Sequence, residues 1–199
     1  MEKRYLLIMV GCFVVGVVAG AILMWGMASQ TSNTGNTDHA EQQTCTATAV
    51  NDRQYYQIAT SYLQGANRSI HISMYVIFWY NYNNDVKSLV NLLATKDSLG
   101  VEVKVFLDND TSNDLVRDNN NLTASYLRNR GVEVRFDSPN ITTHTKLIII
   151  DSEVVLVGST NWSSSALNSN HEANLLIVNK EVAQEYEAYF NSLWSTGTS

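Results

Sequence analysis

The sequence has little cysteine. Only two cysteines occur in 199 residues, Cys12 in an apolar N-terminal run and Cys45 in a polar segment. Two cysteines in these places cannot supply a disulfide framework for the rest of the chain. No cluster of cysteines and histidines has the spacing of zinc ligands, so the sequence does not predict a structural zinc site.

Positive charge is also scarce. The chain carries 13 lysines and arginines against 19 aspartates and glutamates, a formal net charge of −6. This balance excludes a protein that holds nucleic acid mainly by its overall field. A locally basic groove is not excluded, and its candidate residues are Arg68, Arg128, Arg130 and Arg135. The sequence also lacks an internal repeat of about 20–50 residues.

Charged residues are absent from a long run near the N-terminus. Residues 5–27 are uncharged and mostly apolar. At ~1.5 Å rise per residue, about 23 helical residues span the ~30 Å hydrocarbon core of a bilayer. The alternative is a cleaved signal peptide with a small-residue cleavage site at 26–28, but the apolar region of a signal peptide has only about 7–15 residues. We predict a retained transmembrane anchor over residues 1–28.

The basic residues around this run predict its orientation. Lys3 and Arg4 precede it, and no lysine or arginine follows until Arg53. The positive-inside rule therefore predicts a cytoplasmic N-terminus and an extracytoplasmic domain, which would be secreted if the run were cleaved. Residues 29–49 are rich in polar side chains and predict a flexible stalk. Residues 50–199 are enough to bury a core of their own.

Beyond the stalk, helical and strand patterns alternate. The unbroken apolar runs 147–150 and 154–157 are typical of strands buried on both faces. Asn119–Asn121 predict an interruption before the third helix. The predicted strands are 69–77, 101–107, 132–136, 147–150, 154–157 and 173–178, and the predicted helices are 52–66, 85–96, 122–130 and 181–194. This alternation predicts an α/β layered fold with a largely internal sheet.

One stretch of this domain combines several chemically active side chains at short spacing. It contains His144, Lys146 and Asp151, followed by Gly158–Asn161, which gives the pattern H-x-K-x4-D-x6-G-S-x-N. His144 and Lys146 lie two residues apart at the start of a strand, so both side chains are expected on one face. The chain reverses after Asp151 and returns a serine and an asparagine to the same end, where both can donate hydrogen bonds to phosphate oxygens.

This pattern resembles the HKD motif of the phospholipase D superfamily, and the resemblance extends over roughly residues 48–195. It implies a layered fold with a central mixed sheet flanked by helices, and a phosphodiesterase that needs no metal or other cofactor. In this family the motif histidine attacks phosphorus and forms a covalent phosphohistidine. A second histidine protonates the leaving group, and water then cleaves the intermediate.

The resemblance implies a role for each motif residue. His144 is the expected nucleophile. Asp151 completes the catalytic motif, where a structural or charge-balancing role suits it better than direct participation. Glu172 matches an acidic position that orients a histidine and fixes its tautomer. The residues expected to hold the phosphate are Lys146, Ser159 and Asn161.

The motif occurs once, so one chain supplies only one of the two histidines. Members of the family with a single motif form homodimers, and we expect two copies of His144 to share one site in the same way. Among the other histidines, His71 is expected to be a hydrogen-bonded structural residue within a strand. We expect His171 to line the edge of the site and His39 to have no role.

The sequence leaves the substrate open. A phospholipid head group suits an acidic domain held near a bilayer, and we favour it. A metal-independent endonuclease acting on DNA or RNA is the alternative, which a basic stripe around His144 would favour. A third hypothesis is a non-catalytic surface protein that binds phosphate. The aromatic segment Phe78–Tyr82 is expected to form either a substrate rim or a lid on the core.

Overall fold

The computed structural model describes residues 45–109 and 111–199. The predicted anchor (1–28) and most of the predicted stalk (29–49) lie outside these residues. Within the two described ranges, no helix combines the length and the apolar character needed to cross a membrane.

Seven strands form one sheet in the described residues. They are β1 (Thr46–Asn51), β2 (Ser69–Met74), β3 (Glu102–Leu107), β4 (Glu133–Phe136), β5 (Lys146–Ile150), β6 (Val154–Gly158) and β7 (Ala173–Val178). Their order in the sheet is β1-β7-β6-β5-β2-β3-β4. The pairs β2–β3 and β3–β4 are parallel and the other four are antiparallel, so the sheet is mixed, as predicted.

Helices flank this sheet. They are α1 (Gln54–Gly65), α2 (Asp85–Ser98), α3 (Asp114–Arg128), α4 (Ser164–Asn168) and α5 (Lys180–Thr196). Four of them begin at a side chain that accepts the backbone N–H three residues further on, which stabilises the first turn. These caps are Asn84, Asn113, Ser163 and Asn179. The predicted α/β fold, with a central sheet between helices, is confirmed.

The strand β5 explains why the sheet is internal. Ile148 and Ile150 pack into the larger core with α1, α2 and α3, whereas Leu147 and Ile149 pack against α5 on the other face. All five of its residues are buried. An unbroken apolar run is therefore required here, because each face of the strand contacts a different layer.

The two edges of the sheet differ in their residues. The carboxyl ends of β2, β3 and β4 lie beside the amino end of β5, since Met74 pairs with both Leu107 and Lys146. Gly158, at the carboxyl end of β6, pairs with Asn174 at the same edge. We call this side the motif edge. The far edge contains the opposite strand ends, including Ser69 and Ile150.

The predicted interruption at Asn119–Asn121 is wrong, because these residues continue α3. The Asn120 side chain is fully buried and satisfied by backbone groups. Its Oδ1 accepts from the N–H of Ile77 (3.0 Å), and its Nδ2 donates to the carbonyls of Tyr75 (2.9 Å) and Asp108 (3.0 Å). Asparagine here is a buried link between a helix and the end of β2, which local propensity does not reveal.

Two elements were not predicted. Residues 46–49, predicted as stalk, belong to β1, which pairs with β7 over six residue pairs. Most of β1 is solvent-exposed, so it lacks the apolar pattern on which strand prediction depends. The short helix α4 follows the motif asparagine and is capped by Ser163.

His71 lies on β2 and faces α5, as its structural role predicts. Its Nδ1 is 2.6 Å from Glu187 Oε2, its Nε2 is 2.9 Å from Glu102 Oε1, and its ring stacks on Phe190. Burial alone lowers the pKa of His71, but the hydrogen bonds and charges of Glu187 and Glu102 outweigh burial and raise it. This histidine therefore connects α5 to the sheet as a cation between two carboxylates.

The charge of His71 predicts how stability changes with pH. Because its folded pKa is raised, its contribution is fully present below the unfolded pKa of about 6.5 and is lost as pH rises through the folded pKa. We expect the free energy of unfolding, measured in urea, to fall as pH rises over this window. In His71→Gln, the part of this fall that His71 causes should be absent. The control is His171→Ala, at a side chain that is 98% exposed. A profile unchanged in His71→Gln would contradict this prediction.

Candidate active site

The motif residues converge at the motif edge. Lys146 is the first residue of β5, and His144 precedes it in an extended segment. The strand β6 runs back antiparallel to β5 and ends at Gly158, so Ser159 and Asn161 follow at the same edge. The structure thus brings together the residues predicted to attack and to hold a phosphate.

His144 and Lys146 contact one aromatic ring. The His144 imidazole is exposed, and its ring centroid lies 4.7 Å from that of Tyr75 at an interplanar angle of 56°. Lys146 is only 6% exposed. Its Nζ lies 5.0 Å from the centroid of the Tyr75 ring and donates to the backbone carbonyl of His144 (2.9 Å). A solvent-accessible imidazole therefore adjoins a desolvated ammonium group.

Burial changes the ionisation of this lysine. It lowers the pKa of Lys146 to about 8, although the carboxylates of Glu172 and Asp108 act in the opposite direction. Desolvation disfavours the ammonium form because water no longer solvates its charge. An anion bound beside Lys146 would restore a counter-charge and favour the ammonium form.

Glu172 lies in the site but is oriented toward Ser159. Its carboxylate accepts hydrogen bonds from the Ser159 hydroxyl and from Asn170 Nδ2 (3.2 Å). Its backbone N–H donates to Asp52 Oδ1 (2.7 Å), which fixes the start of β7 against the turn before α1. The predicted role of Glu172 in orienting His144 stays a prediction.

Asn161 contains an unsatisfied polar atom. Within the described part of the chain, its buried Oδ1 has no hydrogen-bond partner. Leaving a buried acceptor unpaired costs about 1–3 kcal/mol, so such atoms are rare away from binding sites. This Oδ1 is an acceptor, so only a donor can satisfy it, and a phosphate oxygen would have to be bound by the Nδ2 donor of the same amide.

Asp151 lies at the far edge, apart from the other motif residues. The five residues of β5 separate it from the site, a distance of about 16 Å at ~3.3 Å per residue. Its carboxylate accepts three backbone N–H groups, from Asn67 (3.0 Å), Arg68 (2.7 Å) and Ser69 (2.9 Å). Burial raises its pKa, but these hydrogen bonds outweigh burial and lower it. These contacts suit the structural or charge-balancing role expected for Asp151, and its place among the catalytic residues stays a prediction.

The four candidate arginines do not surround His144. Arg68 pairs with Glu153 at the far edge (2.8 Å), and Arg128 and Arg130 lie where α3 ends, before the amino end of β4. Arg135 lies on β4, three strands from β5, and donates to the carbonyl of Trp194 (2.7 Å). These four arginines therefore form no basic stripe beside His144.

The aromatic segment packs beside the motif loop. The N–H of Phe78 donates to the carbonyl of Trp162 (2.8 Å), and the Tyr80 hydroxyl accepts from the N–H of Ser164 (2.9 Å). Trp79 and Tyr80 pack on the core, whereas Tyr82 is 59% exposed. The segment thus covers part of the core and also borders the site.

Two residues near the site were missed by the sequence analysis. Tyr75 and Asp52 are distant from the motif in sequence, and neither belongs to it. Tyr75 is the residue directly after β2, and no pattern in the sequence marks it as part of the site. Among residues 45–109 and 111–199, no group of three or more His, Cys, Asp or Glu side chains is arranged to hold a metal ion.

Known proteins resemble this chain in sequence. Residues 60–194 match the family described as "Cardiolipin synthase, PLD-like domain". The chain is 29% identical over 133 residues to mitochondrial cardiolipin hydrolase of Chlamydomonas reinhardtii, covering 67% of this chain and 54% of that protein. It is 33% identical over 107 residues to the protein of the same name from Xenopus tropicalis, covering 54% and 49%. The chain thus spans about half the length of these curated relatives.

The fold also resembles that of a solved structure, the phospholipase D family member Nuc from Salmonella typhimurium. The TM-score is 0.66 at 22% identity, with 78% of this chain and 97% of Nuc covered. This identity is low, so the likeness shows the fold alone. Since the family match covers most of the chain and includes the whole H-x-K-x4-D-x6-G-S-x-N pattern, the chain belongs to the PLD-like domain family of the phospholipase D superfamily.

Proposed function

We propose that this chain is a phosphodiesterase that cleaves its substrate through a covalent phosphohistidine on His144. The observation that carries the proposal is the exposed His144 imidazole beside the buried Lys146 ammonium. Sequence relatives named mitochondrial cardiolipin hydrolase and phospholipase D support this class of activity.

The chemistry has two steps. A ring nitrogen of His144 attacks phosphorus, and the bond to the leaving oxygen breaks as a second imidazole gives that oxygen its proton. The same second imidazole then takes a proton from water, which attacks the phosphohistidine and restores His144. Lys146, Ser159 and Asn161 hold the phosphoryl oxygens, and fixed donors of this kind stabilise the charge that develops on them.

The second imidazole is proposed to come from another copy of the chain. Among the described histidines, His71 has both ring nitrogens engaged by glutamates, and His171 points into solvent near Asp52. A homodimer would place two His144 side chains at one phosphate, one as nucleophile and one as proton donor. A monodisperse monomer with full activity, measured by light scattering and turnover, would refute the shared site.

A phospholipid is the proposed substrate. The four candidate arginines, all among the described residues, lie away from His144 and so do not form the basic stripe that would favour a nucleic acid. The cardiolipin hydrolases among the relatives support a lipid, and the predicted anchor would hold the domain close to a bilayer. A nuclease is the second candidate, because the compact single-motif architecture also suits small endonucleases.

A substrate panel tests the proposal. The full chain in detergent is incubated in chelator with phosphatidylcholine, cardiolipin, single-stranded DNA and RNA, with His144→Ala as the matched blank. We expect His144-dependent release of product from a phospholipid. Release of product from DNA or RNA alone would show that the substrate is a nucleic acid and not a lipid. Equal signals from wild type and His144→Ala on all four substrates would refute the proposed enzymatic activity.

The pKa of Lys146 predicts an alkaline limit to activity. The ammonium is lost as pH rises through about 8, so kcat/KM is expected to fall above this value. Arginine stays charged at these pH values, and Lys146→Arg is expected to lack this alkaline limb whatever its absolute rate. The measurement is kcat/KM from pH 6 to about 10. If wild type and Lys146→Arg show the same alkaline fall in kcat/KM, a group other than Lys146 causes it.

A further inference from the structure

The ring of Tyr75 lies between the two reactive side chains of the motif. It contacts the exposed His144 imidazole (4.7 Å between centroids), and the buried Lys146 ammonium lies 5.0 Å from its centroid. One side chain, at the residue directly after β2, thus contacts both the proposed nucleophile and the proposed phosphate-binding cation that begins β5. Tyr75 is outside the H-x-K motif and distant from it in sequence.

Tyr75 is itself fixed by the elements around it. Its backbone N–H donates to the carbonyl of Thr145 (2.9 Å), between the two motif residues. Its carbonyl accepts from the buried Asn120 amide on α3 (2.9 Å), and Asn113 Nδ2 lies 3.5 Å from its hydroxyl. The polar asparagine stretch of α3 therefore serves to hold the end of β2 on which this ring sits.

An exposed histidine side chain needs a packing contact of this kind if it is to be held in one rotamer before substrate binds. A solvent-facing imidazole can adopt several rotamers, only some of which aim a nitrogen at phosphorus. An aromatic ring packed at an angle against it favours one orientation. The same ring excludes water from the ammonium and attracts it through its negative face. Misplacing a reacting group by about 1 Å can cost roughly 100-fold in rate.

We propose that Tyr75 is a positioning residue that holds His144 in its attacking orientation and excludes water from the Lys146 ammonium. This inference rests on the proposed function of His144. The positioning role belongs to the aromatic ring of Tyr75. The hydroxyl, which lies 3.5 Å from Asn113 Nδ2, takes no part in it.

The test compares Tyr75→Ala with Tyr75→Phe, and Tyr189→Ala serves as the control at an exposed tyrosine on α5. We expect Tyr75→Ala to lower kcat about 10- to 100-fold with little change in KM, whereas Tyr75→Phe and Tyr189→Ala stay close to wild type. Burial is the largest cause of the lowered Lys146 pKa, so Tyr75→Ala should also move the alkaline limb of the pH profile upward.

A second measurement does not depend on activity. The Tyr75 ring current shifts the NMR signals of the His144 ring, and this shift is expected to disappear in Tyr75→Ala and to remain in Tyr75→Phe. A fall in kcat without a change in either the pH profile or the His144 signals would overturn the inference, as would an equal fall in Tyr75→Phe. If the wild type shows no His144-dependent turnover, the proposed function is refuted instead. The NMR comparison would still show whether the Tyr75 ring packs against His144.

Discussion

Replacing His144 by alanine is expected to lower kcat/KM by about 10⁴- to 10⁶-fold, the usual cost of removing a catalytic nucleophile. Under the proposed mechanism no covalent intermediate forms without the imidazole, and Lys146 and Asn161 would still bind phosphate. In the proposed homodimer the shared site loses both histidines, so the proton donor is removed together with the nucleophile. The measurement is turnover of the preferred substrate from the panel, with wild type and variant at equal concentration.

The exposed position of His144 makes this experiment easy to interpret. Its side chain lies outside the core, so the unfolding midpoint should be unchanged by the substitution. His171→Ala is the matched control, since His171 is exposed and lies beside Glu172, and it should retain activity. Phosphate trapped on His144 after acid quenching would identify the nucleophile directly. Full activity in His144→Ala would refute the mechanism, and loss in His171→Ala would point to that residue as the proton donor.

Replacing Gly158 by alanine is expected to destabilise the fold by about 3 kcal/mol, although this residue is exposed. An added Cβ would lie 2.3 Å from Asn174 Oδ1, 2.4 Å from the Ala173 carbonyl oxygen and 2.6 Å from Asn174 Cα. Two of these atoms belong to the backbone of β7, so the clash cannot be relieved by a side-chain rotation. The strand β6 must move away from β7 instead.

The same displacement should affect activity, because Ser159 and Asn161 follow Gly158 directly. We expect a lower midpoint in urea and a raised KM even at temperatures where the variant is folded. Gly65→Ala is the matched control, since an added Cβ there meets nothing within 4 Å at the end of α1, and it should change stability by less than about 1 kcal/mol. Equal stability of the two variants would contradict the close approach of β6 and β7.

Local patterns were sufficient to predict most of the fold. The apolar runs at 147–150 and 154–157 predicted the β5–β6 hairpin, since apolar strands joined by a short turn have few other ways to bury both faces. Helices at 85–96 and 181–194 were also predicted close to their observed bounds. The strand β1 was missed because it is held by pairing with β7, and an exposed strand has no periodic pattern of its own.

Polar residues that bond to distant backbone were not predictable in this way. Asn119–Asn121 resemble a loop in sequence, yet Asn120 is buried in α3 because three backbone groups of two other segments satisfy its amide. Asp151 belongs to the motif by spacing, but its carboxylate is used by the N–H groups before β2. Each of these partners lies more than ten residues away in sequence.

The sequence by itself determined the chemistry: an imidazole and an ammonium two residues apart, on a strand whose apolar run places them at one edge of a sheet. Spacing within a strand is a local property, so the chain needs no distant contact to specify it. The tertiary structure decided which other groups reach that edge, since Tyr75 and Glu172 arrive there only because β2, β5, β6 and β7 are neighbours. It also decided that Asp151 does not, because the N–H groups that its partly buried carboxylate accepts, from Asn67, Arg68 and Ser69, lie at the far edge.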